Sequence, residues 1–300
     1  MSIALLLIPD FLLIVLGFVL CRRTALDRPV WDSVERLVYY LLFPVLLFNA
    51  TLKTPLQPEQ TLSLALASVG TVACGVLVAA LIGRWPGVDA RLHASGAQTA
   101  FRFNSYIGLA LAERLGGPQG LAWMALSIAL CVPLGNVAAV WPLARHGGQS
   151  YGRELLRNPL ILSTVAGLAA NLLGLKFPEA MSTTLQRIGL AALPLGLMAT
   201  GAGLRIGGLK SGPGLAAVLM AVRHALLPAI AIGLTAVLAL PPQQRMIVVL
   251  FASLPTASSA YVLAARMGGD GGYVAGLVTL STLLGMLSVP LWLALLAALP

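Results

Sequence analysis

Apolar runs recur along the whole chain, and short polar stretches separate them. The runs and their breakers predict ten helices, at 3–20, 35–52, 61–83, 96–112, 119–144, 159–175, 188–204, 214–240, 246–265 and 273–299. The interruptions read RRTALDRPVWD, KTPLQPEQ, RWPGVDARLH, RHGGQSYGRELLRN, LKFPEA, RIGGLKSGPG and PPQQR. They hold the prolines, glycines and charges that end helices. A helix that crosses a bilayer needs about 20 mostly apolar residues. Ten such helices use up almost the entire chain, leaving no extramembrane domain for soluble chemistry. The pattern therefore predicts an all-α integral membrane protein.

Composition agrees. Of the 300 residues, 58% are hydrophobic and 10% are charged, where a soluble domain carries roughly 25% charged residues. The formal charge of +9 raises nucleic acid as a partner, but the Lys and Arg residues are scattered through short loops with no basic arm or patch. Cys21, Cys74 and Cys131 lie far apart in or beside apolar runs. They form no CxxC and point to neither a metal site nor a disulfide framework. The first run has no basic segment before it, and Arg22 and Arg23 follow it. That order reads as a retained helix rather than a cleaved signal.

The cations set an orientation. One side of the predicted bundle receives Arg22, Arg23, Arg28, Arg36, Arg84, Arg91, Arg145, Arg153, Arg157, Arg205, Lys210 and Arg266. The other receives Lys53, Arg114, Lys176, Arg187 and Arg245. Cytoplasmic loops are the richer in Lys and Arg, so both termini are expected on the periplasmic side of a bacterial inner membrane. A miscounted span would scramble this alternation, so the bias also supports ten spans.

The halves resemble each other at an offset of about 150 residues. IPDFLLIVLGF lies over NPLILSTVAGL, pairing Pro9 with Pro159, Val15 with Val165 and Gly17 with Gly167. LLFPVLLFNA lies over AALPLGLMAT, pairing Pro44 with Pro194. ERLGG lies over ARMGG, pairing Arg114 with Arg266. The expected organisation is a first five-helix repeat at 1–145, a cytoplasmic linker at 146–157 and a second repeat at 158–300. An odd number of helices per repeat inserts the second half upside down, an architecture common in secondary transporters.

Two spans carry polar clusters at matched positions. The fourth reads FRFNSYIGLALAERLGG and holds Arg102, Asn104, Ser105 and Tyr106. The ninth reads FASLPTASSAYVLAARMGG and holds Pro255, Thr256, Ser258 and Ser259. Proline removes a backbone donor and clashes with the preceding turn. Backbone groups opened at membrane depth need partners, which a polar ligand or water can supply. A plain kink, with Ser and Thr bonded back to their own helix, is the alternative.

The segments FRFNSYIGLAL, RNPLILSTVAGLAANLLGL, LPTASSAYVLAARMGGD and LVTLSTLLGMLSVPLW resemble the auxin efflux carrier family, and the resemblance covers essentially the whole chain. Bacterial members named as malonate or malate carriers are the most similar in style. The resemblance implies a five-plus-five inverted repeat working as an elevator. Helices 1, 2, 6 and 7 would form the scaffold, and helices 3–5 and 8–10 a mobile transport domain with the fourth and ninth helices broken and crossed. It also implies a small organic anion as cargo (a mono- or dicarboxylate such as malonate or malate, or an auxin-like acid) and a homodimer through the scaffold. The long cytoplasmic loop of the plant carriers is absent. Those carriers have proline at both breaks; this chain keeps Pro255 but has Phe103 before Asn104.

The expected substrate site is therefore Asn104, Ser105, Tyr106, Pro255, Thr256, Ser258 and Ser259, with Arg102 and Asn49 beside it. Arg102 either recognises a carboxylate, which Arg binds bidentately, or snorkels to the cytoplasmic surface. Asn49 either faces the site from the second helix or bonds between helices. Asp10 and His224 are candidates for coupling to a proton. For Asp10 a structural ion pair is the duller reading. Arg223 beside His224 points as readily to a water-lined or interfacial position. Sodium coupling is equally open. No metal or other cofactor is expected: His93, His146 and His224 are scattered, and there is no HExxH or GxSxG to suggest an enzyme. An anion channel and a non-transporting receptor are the alternatives to a carrier.

Overall fold

A computed structural model describes residues 3–53, 58–144, 159–205, 208–257 and 259–299. The described chain is all helix and loop, without a strand. Its helices are α1 (Ile3–Arg23), α2 (Arg28–Leu37), α3 (Phe43–Lys53), α4 (Pro58–Ile82), α5 (Ala90–Gly96), α6 (Ser105–Ala144), α7 (Pro159–Leu172), α8 (Glu179–Leu190), α9 (Ala192–Ala202), α10 (Pro213–Ala221), α11 (Leu227–Val237), α12 (Pro242–Ser253), α13 (Ala260–Arg266) and α14 (Gly271–Ala298). Among the described residues, five stretches are long and apolar enough to cross a membrane: Arg28–Leu52, Thr61–Ile82, Ala90–Ala139, Pro213–Val237 and Gly271–Ala298. Leu62, Leu66 and Leu77 of α4 and Leu287 and Leu291 of α14 stand exposed on their outer faces. Exposed Leu on this scale suits hydrocarbon as the surrounding solvent.

Several boundaries differ from the apolar pattern, each for a local reason. The second span starts earlier than predicted, at Arg28, because Pro29 fits the first helical turn. It passes through a π turn at Val38–Leu42 before Pro44. The eighth span repeats this arrangement, with a π turn at Val222–Leu226 ahead of Pro228. A π turn absorbs the hydrogen bond that proline withdraws. Pro228 cannot bond the carbonyl of His224, and the Trp292 indole N–H donates to that oxygen instead, at 2.7 Å. The expected loop between the fourth and fifth spans is a kink within α6, where Gly117 adopts φ 58° and Pro118 follows. That conformation is open to glycine and strained for other residues.

Two tight crossings organise the side of the bundle built from the first, second, sixth and seventh runs. α1 packs on α9, and α7 packs on α3. Gly17 lies against the backbone of Met198, where any side chain would collide. In the other crossing Gly167 lies against the Phe48 carbonyl and the Thr51 side chain. Small residues let helices approach closely in a membrane, where no hydrophobic force drives them together. Asn171 ties the second crossing by donating to the Thr51 and Leu52 carbonyls, at 3.1 and 2.7 Å.

Candidate functional site

Both polar clusters interrupt their helices. In the fourth span, α5 ends in a 3-10 turn at Ala97–Ala100, the chain leaves helix at residues 101–104, and α6 begins at Ser105. In the ninth, α12 ends at Ser253, residues 254–257 are non-helical, and α13 starts at Ala260. The two breaks meet directly, as the Asn104 amide donates to the Pro255 carbonyl at 2.8 Å. A backbone donor freed in one broken helix thus satisfies an acceptor freed in the other.

Asn104 is buried, and its Oδ1 accepts from the amides of Tyr106 and Ile107 at 3.0 and 3.2 Å. This is an N-cap for α6. Its Nδ2 reaches toward Thr200 Oγ1 on α9 at 3.5 Å, a weak contact. The Ser105 amide has no protein acceptor among the described residues. On the ninth span, Pro255 nests against Gly285 of α14, where a side chain would have no room. The Thr256 amide donates to Ser281 Oγ at 2.9 Å. The Thr256 hydroxyl is buried without a hydrogen-bond partner.

A cavity of about 170 Å3 opens beside this crossing. Its walls include Arg102, Asn104, Ser105 and Tyr106 from the fourth span, Ala257 and Ser259 from the ninth, and Tyr39, Asn136 and Leu160 from the second, fifth and sixth. The Arg102 guanidinium forms part of the wall. It donates from Nη1 to Gln98 Oε1 at 2.8 Å and from Nη2 to Ser259 Oγ at 3.2 Å. Gln98 is itself buried and donates to the Ser95 and Ala260 carbonyls, which anchors it to both breaks. Among the described residues no carboxylate pairs with Arg102. The Tyr106 ring stacks on Phe43 of α3, with centroids 4.7 Å apart and planes within 7°.

The structure thus brings together Arg102, Asn104, Ser105, Tyr106 and Ser259 around one cavity. Thr256 sits at the crossing but does not line the cavity, and Ser258 lies outside the described residues. Asn49 on α3 is not part of the wall, and its buried Nδ2 has no hydrogen-bond partner among the described residues. Asp10 is buried and held by Arg114, which pairs through Nε and donates from Nη2 at 3.1 Å.

His224 and Arg223 are both buried, and Arg223 is 1% exposed. His224 hydrogen-bonds Ser281 Oγ and Ser288 Oγ through its two ring nitrogens, each at 2.8 Å. Arg223 donates to the Leu254 and Phe251 carbonyls at 2.6 and 3.2 Å. Gln98, Tyr39, Asn136 and Ser281 were not expected at the site. Gln98 could have been read from its spacing, since a residue four before Arg102 shares its helix face. Tyr39, Asn136 and Ser281 come from distant spans, and nothing local in the sequence marks them. No group of three or more His, Cys, Asp or Glu side chains among the described residues is arranged to hold a metal ion.

The family described as "Membrane transport protein" matches residues 143–293. A Rhizobium meliloti (strain 1021) protein named "Putative malonate transporter" is 28% identical over 95% of this chain and 92% of its own length. An "Uncharacterized transporter" of Methanothermobacter thermautotrophicus is 26% identical over 93% of this chain and 94% of its own.

Proposed function

Because this chain belongs to the membrane transport protein family of the auxin efflux carriers, we propose that it is a secondary carrier of a small organic anion, with malonate the first substrate to test. Family membership makes it a multi-pass membrane transporter rather than an enzyme. The anion reading rests chiefly on Arg102. Its guanidinium stands in a cavity wall, held by the neutral groups Gln98 and Ser259. A cation at membrane depth is costly unless an opposite charge meets it. A carboxylate in the cavity would supply that charge and accept bidentately. The N-terminus of α6, with the Ser105 amide uncommitted, adds partial positive charge on the same wall.

Size narrows the cargo. A cavity of about 150 Å3 is known to hold benzene. A space of about 170 Å3 suits an acid of three or four carbons. This favours malonate or malate.

The mechanism we propose is elevator-type alternating access over a ten-helix, five-plus-five inverted repeat. The matched crossings at Gly17 and Gly167 support the repeat, as does the contact between the two breaks. Helices from the first, second, sixth and seventh spans would stay fixed while the rest, carrying the crossing, moves. The Asp10–Arg114 pair then bridges the two bodies and would have to part during the cycle. We place the protein in a bacterial inner membrane with both termini periplasmic. Any proton or sodium coupling and a scaffold dimer belong to the same reading.

The test is uptake of labelled malonate by proteoliposomes. Saturation and counterflow mark a carrier and separate it from a channel or a receptor. Arg102→Lys should weaken transport, and Arg102→Gln should nearly abolish it with folding intact. Unchanged uptake in Arg102→Gln would sink the anion site.

A further inference from the structure

The broken ninth span creates an electrostatic difficulty. A helix that ends inside the membrane leaves carbonyls without partners and a partial negative charge at its C-terminus. α12 ends at Ser253, directly before the crossing, so its negative end faces the region where an anion would sit. Within the ninth span only the Leu254 amide reaches back to these end carbonyls, on Phe251 at 3.4 Å, and Pro255 donates no hydrogen bond.

The relief comes from the neighbouring span. Arg223 lies in the π turn at Val222–Leu226, with its guanidinium against the end of α12, bonded to the Phe251 and Leu254 carbonyls. No carboxylate among the described residues neutralises it. The next residue, His224, bonds Ser281, and Ser281 accepts the Thr256 amide on the far side of Pro255. The same π turn therefore grips both sides of the break. Its position is locked in turn by Ser288 and by the Trp292 indole on the His224 carbonyl.

We propose that Arg223 and His224 form a splint that holds the ninth-span break open and cancels the negative end of α12, so that the crossing accepts an anion. This rests on the anion reading of the Arg102 cavity and extends it to a pair of positioning residues that line no part of that cavity. Arg223 supplies a charge and two backbone hydrogen bonds. His224 supplies the tie through Ser281.

The test uses the full-length protein purified in detergent, with two readouts. Hydrogen–deuterium exchange over residues 250–262 reads the break and needs no substrate. Malonate affinity, measured by competition or calorimetry, reads the consequence. Arg223→Gln should speed exchange of that segment at least tenfold and weaken malonate binding at least tenfold. Arg223→Lys should restore most of the affinity, because the charge returns to the same carbonyls. Ser281→Ala should speed exchange at Thr256 and weaken binding a few-fold; it carries the test if Arg223→Gln does not fold. Faster exchange with unchanged malonate affinity would reduce the splint to a structural brace and overturn the proposal. If Arg102→Gln abolishes binding while Arg223→Gln and Ser281→Ala leave it intact, the anion site stands and the splint falls. If Arg102→Gln also leaves malonate affinity unchanged, both fall.

Discussion

The two broken spans face the same physical problem and meet it with different groups. In the fourth, the cation is part of the break: Arg102 sits in the non-helical stretch, held by Gln98 from the preceding turn, and contributes to the cavity wall. In the ninth, the cation comes from another helix, and Arg223 lies behind the break on backbone carbonyls. The fourth break has no proline and relies on Asn104 to cap the helix that restarts. The ninth has Pro255 and relies on Ser281 for the amide beyond it. The fourth break presents its cation to the cavity, whereas the ninth offers Ala257 and Ser259 and is braced from behind. Two breaks of similar geometry can therefore differ in chemistry, because the backbone needs partners at both.

The comparison can be broken most sharply at Arg102. Losing a buried charge that pairs with a carboxylate costs about 2–5 kcal/mol, or roughly 30-fold or more in affinity. Arg102→Gln should show that loss in malonate binding with little change in melting temperature. Next comes Asn104→Asp. The carboxylate can still cap α6, so the fold should persist, yet a negative charge now stands beside the anion, and affinity should drop at least tenfold. A normal affinity in Asn104→Asp would mean that the anion does not sit near the α6 N-terminus.

Asn104→Ala removes the cap, which is worth about 0.5–2 kcal/mol. It should lower stability by that amount and loosen binding mainly through the displaced α6 terminus; Asn104→Ser should recover most of both. Recovery of stability without recovery of binding would make the carboxamide a direct ligand. The smallest effect is expected at Thr256. Its hydroxyl is buried without a partner, and replacing an unpaired buried polar group by an apolar one of the same shape is close to neutral. Thr256→Val should bind malonate within about twofold of the parent, as should the exposed control Gln243→Ala. A large loss in Thr256→Val would show that the hydroxyl meets substrate in another conformation, and the two breaks would be more alike than they look.

Much of the candidate site is legible in the sequence. Arg102, Asn104 and Pro255 were conspicuous because a bilayer makes each of them expensive, so their presence inside apolar runs demands a reason. Asp10 and Arg114 were each visible as charges at the edges of their spans, but their pairing was not, because 104 residues separate them. What the Thr256 backbone does is not legible in the sequence: its amide donates to Ser281, 25 residues away, while its hydroxyl is buried without a partner.

By itself, the sequence determined the solvent of this protein, its helical character and the two places where its helices could not run straight. Those properties follow from local composition and hydropathy, from polar groups inside apolar runs and, in the ninth span alone, from the missing amide of proline. Tertiary structure alone decided which groups repair each break. Repair is a matter of reach across space: Arg223 reaches a carbonyl 31 residues away and Gln98 one that is 162 residues away, and no local rule connects residues that only the packing of separate helices brings within hydrogen-bond distance.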